Sequence, residues 1–155
     1  MKPRRGFSLI ELMIVVALIG ILAMIAGPFT MAWSDSAQAR DAEGLLNQGI
    51  GRAKATALRN RYAMIDAQPA ALLCLSPDKL LSLHEAAAAG SPASCASPPL
   101  WSAQLPERVA VQSAGGDFSC LALDTKALPT HLSGCSTSQT FALKVGSEDV
   151  SVTFN

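Results

Sequence analysis

Residues 6–33 read GFSLIELMIVVALIGILAMIAGPFTMAW. From Leu12 to Trp33 no residue is charged and Thr30 is the only hydroxyl. At a helical rise of about 1.5 Å per residue this run covers the ~30 Å hydrocarbon core of a bilayer, so it reads as a membrane-crossing helix. Its front end is unlike that of an ordinary secretory signal. Lys2, Arg4 and Arg5 crowd a short leader, Gly6 follows, and the apolar run begins at Phe7. A secretory signal carries its small cleavage residue behind the apolar region, whereas here it stands in front. Cleavage behind the run, after Ala32, is the poorer reading, because Thr30-Met31-Ala32 fits the small-x-small pattern only loosely. Glu11 then places a carboxylate inside the apolar segment. An ionised side chain at the bilayer centre costs roughly 2.5 kcal/mol or more, so Glu11 belongs at the interface or beside a partner.

The ordered string Gly6-Phe7-Ser8-Leu9-Ile10-Glu11, behind a basic leader and ahead of a long apolar run, closely resembles the type IV prepilin signature shared by pilins and pseudopilins. The resemblance implies that a membrane-embedded peptidase cuts after Gly6 and that the new amine of Phe7 is methylated. It also implies an assembly role for Glu11, which would neutralise the Phe7 amine of an adjacent subunit. Gly20, Gly27 and Pro28 fall where pilin helices carry helix-weakening residues. The implied partners are other pilins or pseudopilins, met through the N-terminal helix, together with the peptidase and the bacterial inner membrane.

The chain has 155 residues. Read this way it divides into a cleaved leader, 1–6, a transmembrane and assembly helix, 7–33, and a periplasmic domain, 34–155, large enough for one core. Formal charge over the whole chain is +0. Without Lys2, Arg4 and Arg5, nine basic side chains face twelve acidic ones, a net of −3. A mildly acidic body has no general attraction for nucleic acid. Basic residues beside a span hold that end in the cytoplasm, which puts the C-terminal body outside. All four cysteines, Cys74, Cys95, Cys120 and Cys135, lie in that body, and an even count in an oxidising compartment reads as disulfides. Pairing sequence neighbours, Cys74 with Cys95 and Cys120 with Cys135, closes the smaller loops, although four cysteines allow three pairings. The second pair resembles the C-terminal disulfide loop of many pilins.

Between residues 35 and 61 the apolar positions Ala39, Ala42, Leu46, Ile50, Ala53, Ala57 and Leu58 recur every three or four residues, the mark of an amphipathic helix. Ser34 or Asp35 could cap it locally, while the family resemblance implies a helix continuous through Pro28. Its face is mostly alanine, and Gly44, Gly49 and Gly51 each cost up to ~1 kcal/mol of propensity, so it needs a packing partner. Short apolar or alternating runs supply a sheet: 62–65, 71–75, 108–111, 118–123, 141–145 and 150–154, the last preceded by a turn at Glu148-Asp149. Residues 85–106 read as a long surface loop stapled by Cys95, with a short helix around 77–89. The fold class is therefore α+β: one long N-terminal helix, half transmembrane and half amphipathic, packed on an antiparallel sheet in the pilin manner.

Residues 44–61, GLLNQGIGRAKATALRNR, followed by a strand and Cys74, resemble the helix-to-strand junction of minor pilins of the FimT/FimU kind and of H-type pseudopilins. The first implies a type IV pilus subunit at or near the filament tip that helps initiate assembly; the second implies a type II secretion machine. A third class is a membrane-tethered pilus protein that binds a surface or DNA. Some minor pilins bind DNA through a C-terminal Gly-Arg-x-Arg stretch, but the comparable residues here, Val145-Gly146-Ser147-Glu148-Asp149, are acidic, and Arg108 and Lys126 stand alone. No nucleic-acid partner is expected. Asp117, Asp124, Glu148 and Asp149 are too scattered for a calcium loop, so no metal and no cofactor are expected. His84 and His131 sit in apparent loops, no Gly-x-Ser-x-Gly occurs and the cysteines are read as oxidised, so the chain is not read as an enzyme. Trp33 reads as an interfacial anchor and Trp101 as loop packing.

Overall fold

The computed structural model describes residues 8–114 and 116–154, and of residues 26–29 the backbone alone. Among the described residues one helix, α1 (Leu9–Arg59), is followed by eight strands: β1 (Ala71–Leu75), β2 (Leu80–Glu85), β3 (Trp101–Gln104), β4 (Ala110–Ser113), β5 (Gly116–Asp117), β6 (Cys120–Leu123), β7 (Thr140–Val145) and β8 (Glu148–Thr153). The chain divides into two compact units, Met1–Ser34 and Asp35–Asn155. The helix runs through Pro28, Ser34 and Asp35 without a break, so neither Ser34 nor Asp35 is a cap.

Within the second unit the strands form two antiparallel four-stranded sheets, ordered β3-β2-β1-β6 and β5-β4-β7-β8, where the sequence pointed to one sheet. The fold is α+β, with the amphipathic half of α1 laid on sheet. Ala39, Ala42, Leu46, Ile50, Ala53 and Ala57 are all buried and share one core with Leu73, Leu81, Leu121, Phe141 and Leu143. Alanines along this stripe let the helix lie close to the strands. Gly49 lies close against the sheet: a Cβ there would come 3.0 Å from Leu81 Cδ2, 3.2 Å from Trp101 Cζ3 and 3.3 Å from Leu73 Cδ1. The glycine that lowers helix propensity is the one that admits the sheet.

At β1 and β6 the first sheet is covered on both sides, which is why these two strands read as unbroken apolar runs. Ala71 and Leu73 face the helix, while Leu72 and Cys74 join Cys120, Ala122 and Ala93 in a second small cluster. Disulfides Cys74–Cys95 and Cys120–Cys135 lie against that cluster, tethering the segments that follow β2 and β6. In the second sheet, Phe141 packs edge-on to Phe118 at 5.1 Å and stacks on Phe154 at 5.7 Å between centroids.

Several local expectations are overturned. Residues 62–65 form no strand, Tyr62 lying in a turn and 63–65 being irregular, because Asn60, itself at φ 40°, closes its amide on Met64: Nδ2 donates to Met64 O at 2.9 Å and Met64 N–H donates to Oδ1 at 2.7 Å. Those are the main-chain groups a ladder would need. No helix forms over 77–89. Leu81 and Leu83 point to the core while Ser82 and His84 point to the other side, and the period of two makes this β2, an antiparallel partner of β1. The long loop is shorter than expected, since residues 101–104 form β3 along β2. The last hairpin turns at Gly146-Ser147, one pair earlier than Glu148-Asp149, since Gly146 adopts φ +58° and Val145 already pairs with Glu148.

Candidate functional site

In the first unit, Leu12 N–H donates to Ser8 O at 3.2 Å, which opens the helix, and Glu11 stands in its first turn. A carboxylate there complements the positive end of the helix dipole. Glu11 is exposed and makes no hydrogen bond or ion pair among the described residues. It is also the sole ionisable side chain between Ser8 and Ser34. Around it Leu9, Ile10, Leu12, Met13, Ile14 and Val15 are all exposed, and the same holds on every side of the helix through Ile25. A helix that is apolar all round needs lipid or other helices about it. Among the described residues, α1 is the one helix long and apolar enough to cross a membrane. Trp33 is 79% exposed near the end of this unit.

Gly6 and Phe7, the cleavage and methylation positions, lie outside the described residues. Of the three helix-weakening positions, Gly20 has open space where a Cβ would stand, and the backbone at Gly27 and Pro28 is helical.

The second unit places the remaining candidates. Arg108 is not isolated: its Nη1 lies 2.7 Å from Asp35 Oδ1 and its Nη2 donates to Asp35 Oδ2 at 3.4 Å. Asp35 is buried, and Gly146 closes over it so tightly that a Cβ at Gly146 would overlap Oδ2. Sequence reasoning missed this ion pair, although a signal was present. Asp35 precedes Ala39, Ala42 and Leu46 in the same four-three-four spacing, so a carboxylate occupies the helix's buried stripe.

His84 is not a loop residue; it sits in β2, only 3% exposed, with Nε2 2.9 Å from Ser82 Oγ and Nδ1 buried without a hydrogen-bond partner. His131 is exposed in the segment after β6. Among the described residues neither histidine has a carboxylate partner, and all four cysteines are paired; Ser82 Oγ, beside His84, also donates to Cys74 O at 3.5 Å. Asp124 is structural: its Oδ1 accepts the N–H groups of Lys126 at 2.8 Å and Leu128 at 2.9 Å. Asp117, Asp124, Glu148 and Asp149 are not brought together, and no group of three or more His, Cys, Asp or Glu suited to a metal occurs among the described residues.

Trp101 opens β3, where the sequence pointed to a loop. Half-buried, it receives the Arg52 guanidinium over its ring at 5.3 Å from the centroid. Arg61, over Tyr62 at 5.5 Å, also reaches Glu85 at 3.6 Å.

Residues 1–27 match the prokaryotic N-terminal methylation motif. No solved structure matches the chain.

Proposed function

We propose that this chain is a pilin-like subunit, cut after Gly6, methylated on the Phe7 amine and assembled into a filament through its N-terminal helix. The observation that carries this reading is the methylation-motif match over residues 1–27, set on a helix whose only charge before Ser34 is Glu11. The α+β fold, with the amphipathic half of α1 on antiparallel sheet, supports the same family role.

Before assembly the processed chain sits in the bacterial inner membrane, Phe7 near the cytoplasmic face and the disulfide-bonded unit in the periplasm. In the filament the apolar helix leaves lipid for a bundle of like helices. Hydrocarbon is exchanged for hydrocarbon, so burial gives little net drive and polar pairing sets the register. Glu11 then accepts the Phe7 ammonium of a neighbour, a contact strengthened by the dry surroundings. Within the family we read the chain as a minor pilin that helps initiate assembly or lies near the tip, supported by residues 44–61 running into β1 and Cys74. The same stretch fits an H-type pseudopilin of a type II secretion system, and loss of pili rather than loss of secreted enzymes in a deletion strain separates the two.

Intact mass of the protein from cells with an active prepilin peptidase is the test. Loss of residues 1–6, gain of one methyl group and absence of four thiol hydrogens are expected together. A chain that keeps its leader in such cells overturns the reading.

A further inference from the structure

The fold brings the two disulfides side by side. β1 and β6 run antiparallel with Cys74 directly opposite Cys120. Leu75 N–H donates to Ser119 O at 2.7 Å, which makes Leu75 and Ser119 a hydrogen-bonded pair. Such pairs alternate along a ladder, so Cys74 and Cys120 form the closer, non-hydrogen-bonded kind, with Cα atoms about 4.5 Å apart. Both side chains leave the sheet on the same face, into the cluster of Leu72, Ala93 and Ala122. Disulfides span Cα separations of about 4.4–6.8 Å, so the ladder holds these two residues where a direct bridge would fit.

The bridges that are present, Cys74–Cys95 and Cys120–Cys135, share one asymmetry. Each joins a strand cysteine, 5% exposed at Cys74 and 9% at Cys120, to a more open one in a covering segment, Cys95 being exposed and Cys135 half-buried. The first segment lies over the sheet through Ala93, whose N–H donates to Pro69 O at 3.1 Å. The second covers the outer edge of β6, where Thr130 N–H donates to Ala122 O at 2.9 Å and Ser136 N–H donates to Cys120 O at 2.8 Å. A thiol arriving from solution therefore meets an outer cysteine first. The sulfur it sets free is an inner one, and that sulfur faces the other bridge.

We propose that the two bridges are a single exchange site for a dithiol, which converts them into one Cys74–Cys120 bridge across β1 and β6 and leaves Cys95 and Cys135 as thiols. A thiolate of the dithiol attacks Cys95 Sγ, forming a mixed disulfide and expelling Cys74 as the thiolate. Cys74 Sγ then attacks Cys120 Sγ, breaking Cys120–Cys135 and expelling Cys135, which takes a proton from water. The second thiolate of the dithiol attacks its partner sulfur in the mixed disulfide, releasing Cys95, which is protonated in turn. The dithiol is oxidised by two electrons to its own disulfide, and the protein gains those electrons as two thiols in place of one bridge. The middle step is favoured because paired strands covered on both sides hold Cys74 against Cys120, and fixed proximity acts as a high local concentration. The bridge that results ties strands already paired by the sheet. Both covering segments lose their covalent hold, and the edge of β6 keeps its cover only through the bonds of Thr130 and Ser136.

The test treats the full-length chain in detergent with limiting dithiothreitol, labels free thiols with N-ethylmaleimide at intervals and maps label and bridge by mass spectrometry of peptides. The one-bridge product is expected to carry label on Cys95 and Cys135 and none on Cys74 and Cys120. Label on both members of an original bridge, Cys74 with Cys95 or Cys120 with Cys135, would overturn the proposal, as would loss of both bridges with no one-bridge form between. All possible pairings in similar amounts would mean re-pairing in an unfolded chain, and would overturn it as well. Cys95→Ser makes the same check without a reductant. That variant, taken from cells that export it, is expected to hold Cys74–Cys120 with the label on Cys135, whereas label confined to Cys74 would show that the inner thiol does not reach Cys120.

Discussion

Arg108 Nη1 stands 2.7 Å from Asp35 Oδ1, an ion pair across 73 residues of sequence that ties the helix to the segment leading into β4. The pair is unequal, since the Asp35 side chain is 11% exposed and that of Arg108 is 56% exposed. Removing the arginine leaves a carboxylate held out of water, whereas removing the carboxylate leaves a guanidinium free to solvate. Arg108→Ala is therefore expected to destabilise the protein by about 1–3 kcal/mol, the half-exposed partner keeping it below the range of a fully buried pair. Asp35→Ala with Arg108→Ala should cost less than the two single changes combined. Thermal unfolding of the full chain in detergent measures all three, and strict additivity would deny the coupling.

Gly146 carries two constraints at once, a φ of +58° and a wall formed by the Asp35 carboxylate. Gly146→Ala meets both, with roughly 1–2 kcal/mol from the left-handed backbone and a further steric cost. Asp35→Ala should relieve the second cost and leave the first. Unfolding of the single and double variants separates them, and an equal loss from Gly146→Ala in both backgrounds would show that the carboxylate is no obstacle.

The three glycines in the amphipathic half of α1 should respond differently to the same substitution. Gly44 and Gly51 have nothing within 4 Å of a built Cβ, so alanine at either is expected to stabilise by up to ~1 kcal/mol. Gly49→Ala gains the same propensity but pushes on Leu81, Leu73 and Trp101, so no net gain is expected, and Gly49→Leu should cost about 1–3 kcal/mol or more. Equal stabilisation at all three positions would mean that the helix and sheet are not packed as closely as these distances state.

These contrasts show where the sequence was legible. The α+β class came from one long apolar-then-amphipathic helix and several short runs, and the buried stripe of Ala39, Ala42, Leu46, Ile50, Ala53 and Ala57 follows its spacing. β1 stood out because two-sided burial makes a continuous apolar word. β2 was harder to read, since its side away from the helix carries Ser82 and His84 and the run begins three residues after Pro77, a mixture that resembles a loop or short helix. Strand identity there is set by pairing with β1, a tertiary cause that local propensity does not report. The absence of a strand at 62–65 was hidden in one side chain, Asn60, whose amide occupies the backbone of Met64. At the candidate site the order of Gly6, Phe7 and Glu11 carried the functional reading, while the Arg52–Trp101 contact required the fold to bring β3 beneath the helix.

Cys120–Cys135 closes a span of 15 residues and pins the segment that covers the β6 edge. Replacing both cysteines by serine is expected to cost about 2–4 kcal/mol. The loss should also be local: the amides of Thr130 and Ser136, which bond to Ala122 O and Cys120 O, should exchange with deuterium faster, while the Leu100 amide on Leu83 O stays protected. Uniform acceleration at all three would mean that the bridge supports the whole unit and not the edge cover.

Glu11 is the sole ionisable side chain of the first unit's described helix, and it has no partner among the described residues. An unpaired carboxylate among exposed Leu9, Ile10, Leu12 and Met13 is a cost to a lone membrane helix, so Glu11→Ala should insert into the membrane at least as well as the natural chain. Removal of residues 1–6 should also continue, because cutting precedes assembly in the proposed order. What should fall is incorporation into filaments, by about tenfold or more, as expected if pairing with the Phe7 amine contributes ~1.4 kcal/mol or more to docking. Sheared filaments and membranes from the same cells, probed for this chain, measure the ratio directly. Normal incorporation of a processed Glu11→Ala chain would remove charge pairing as the source of register and leave helix packing to set it alone.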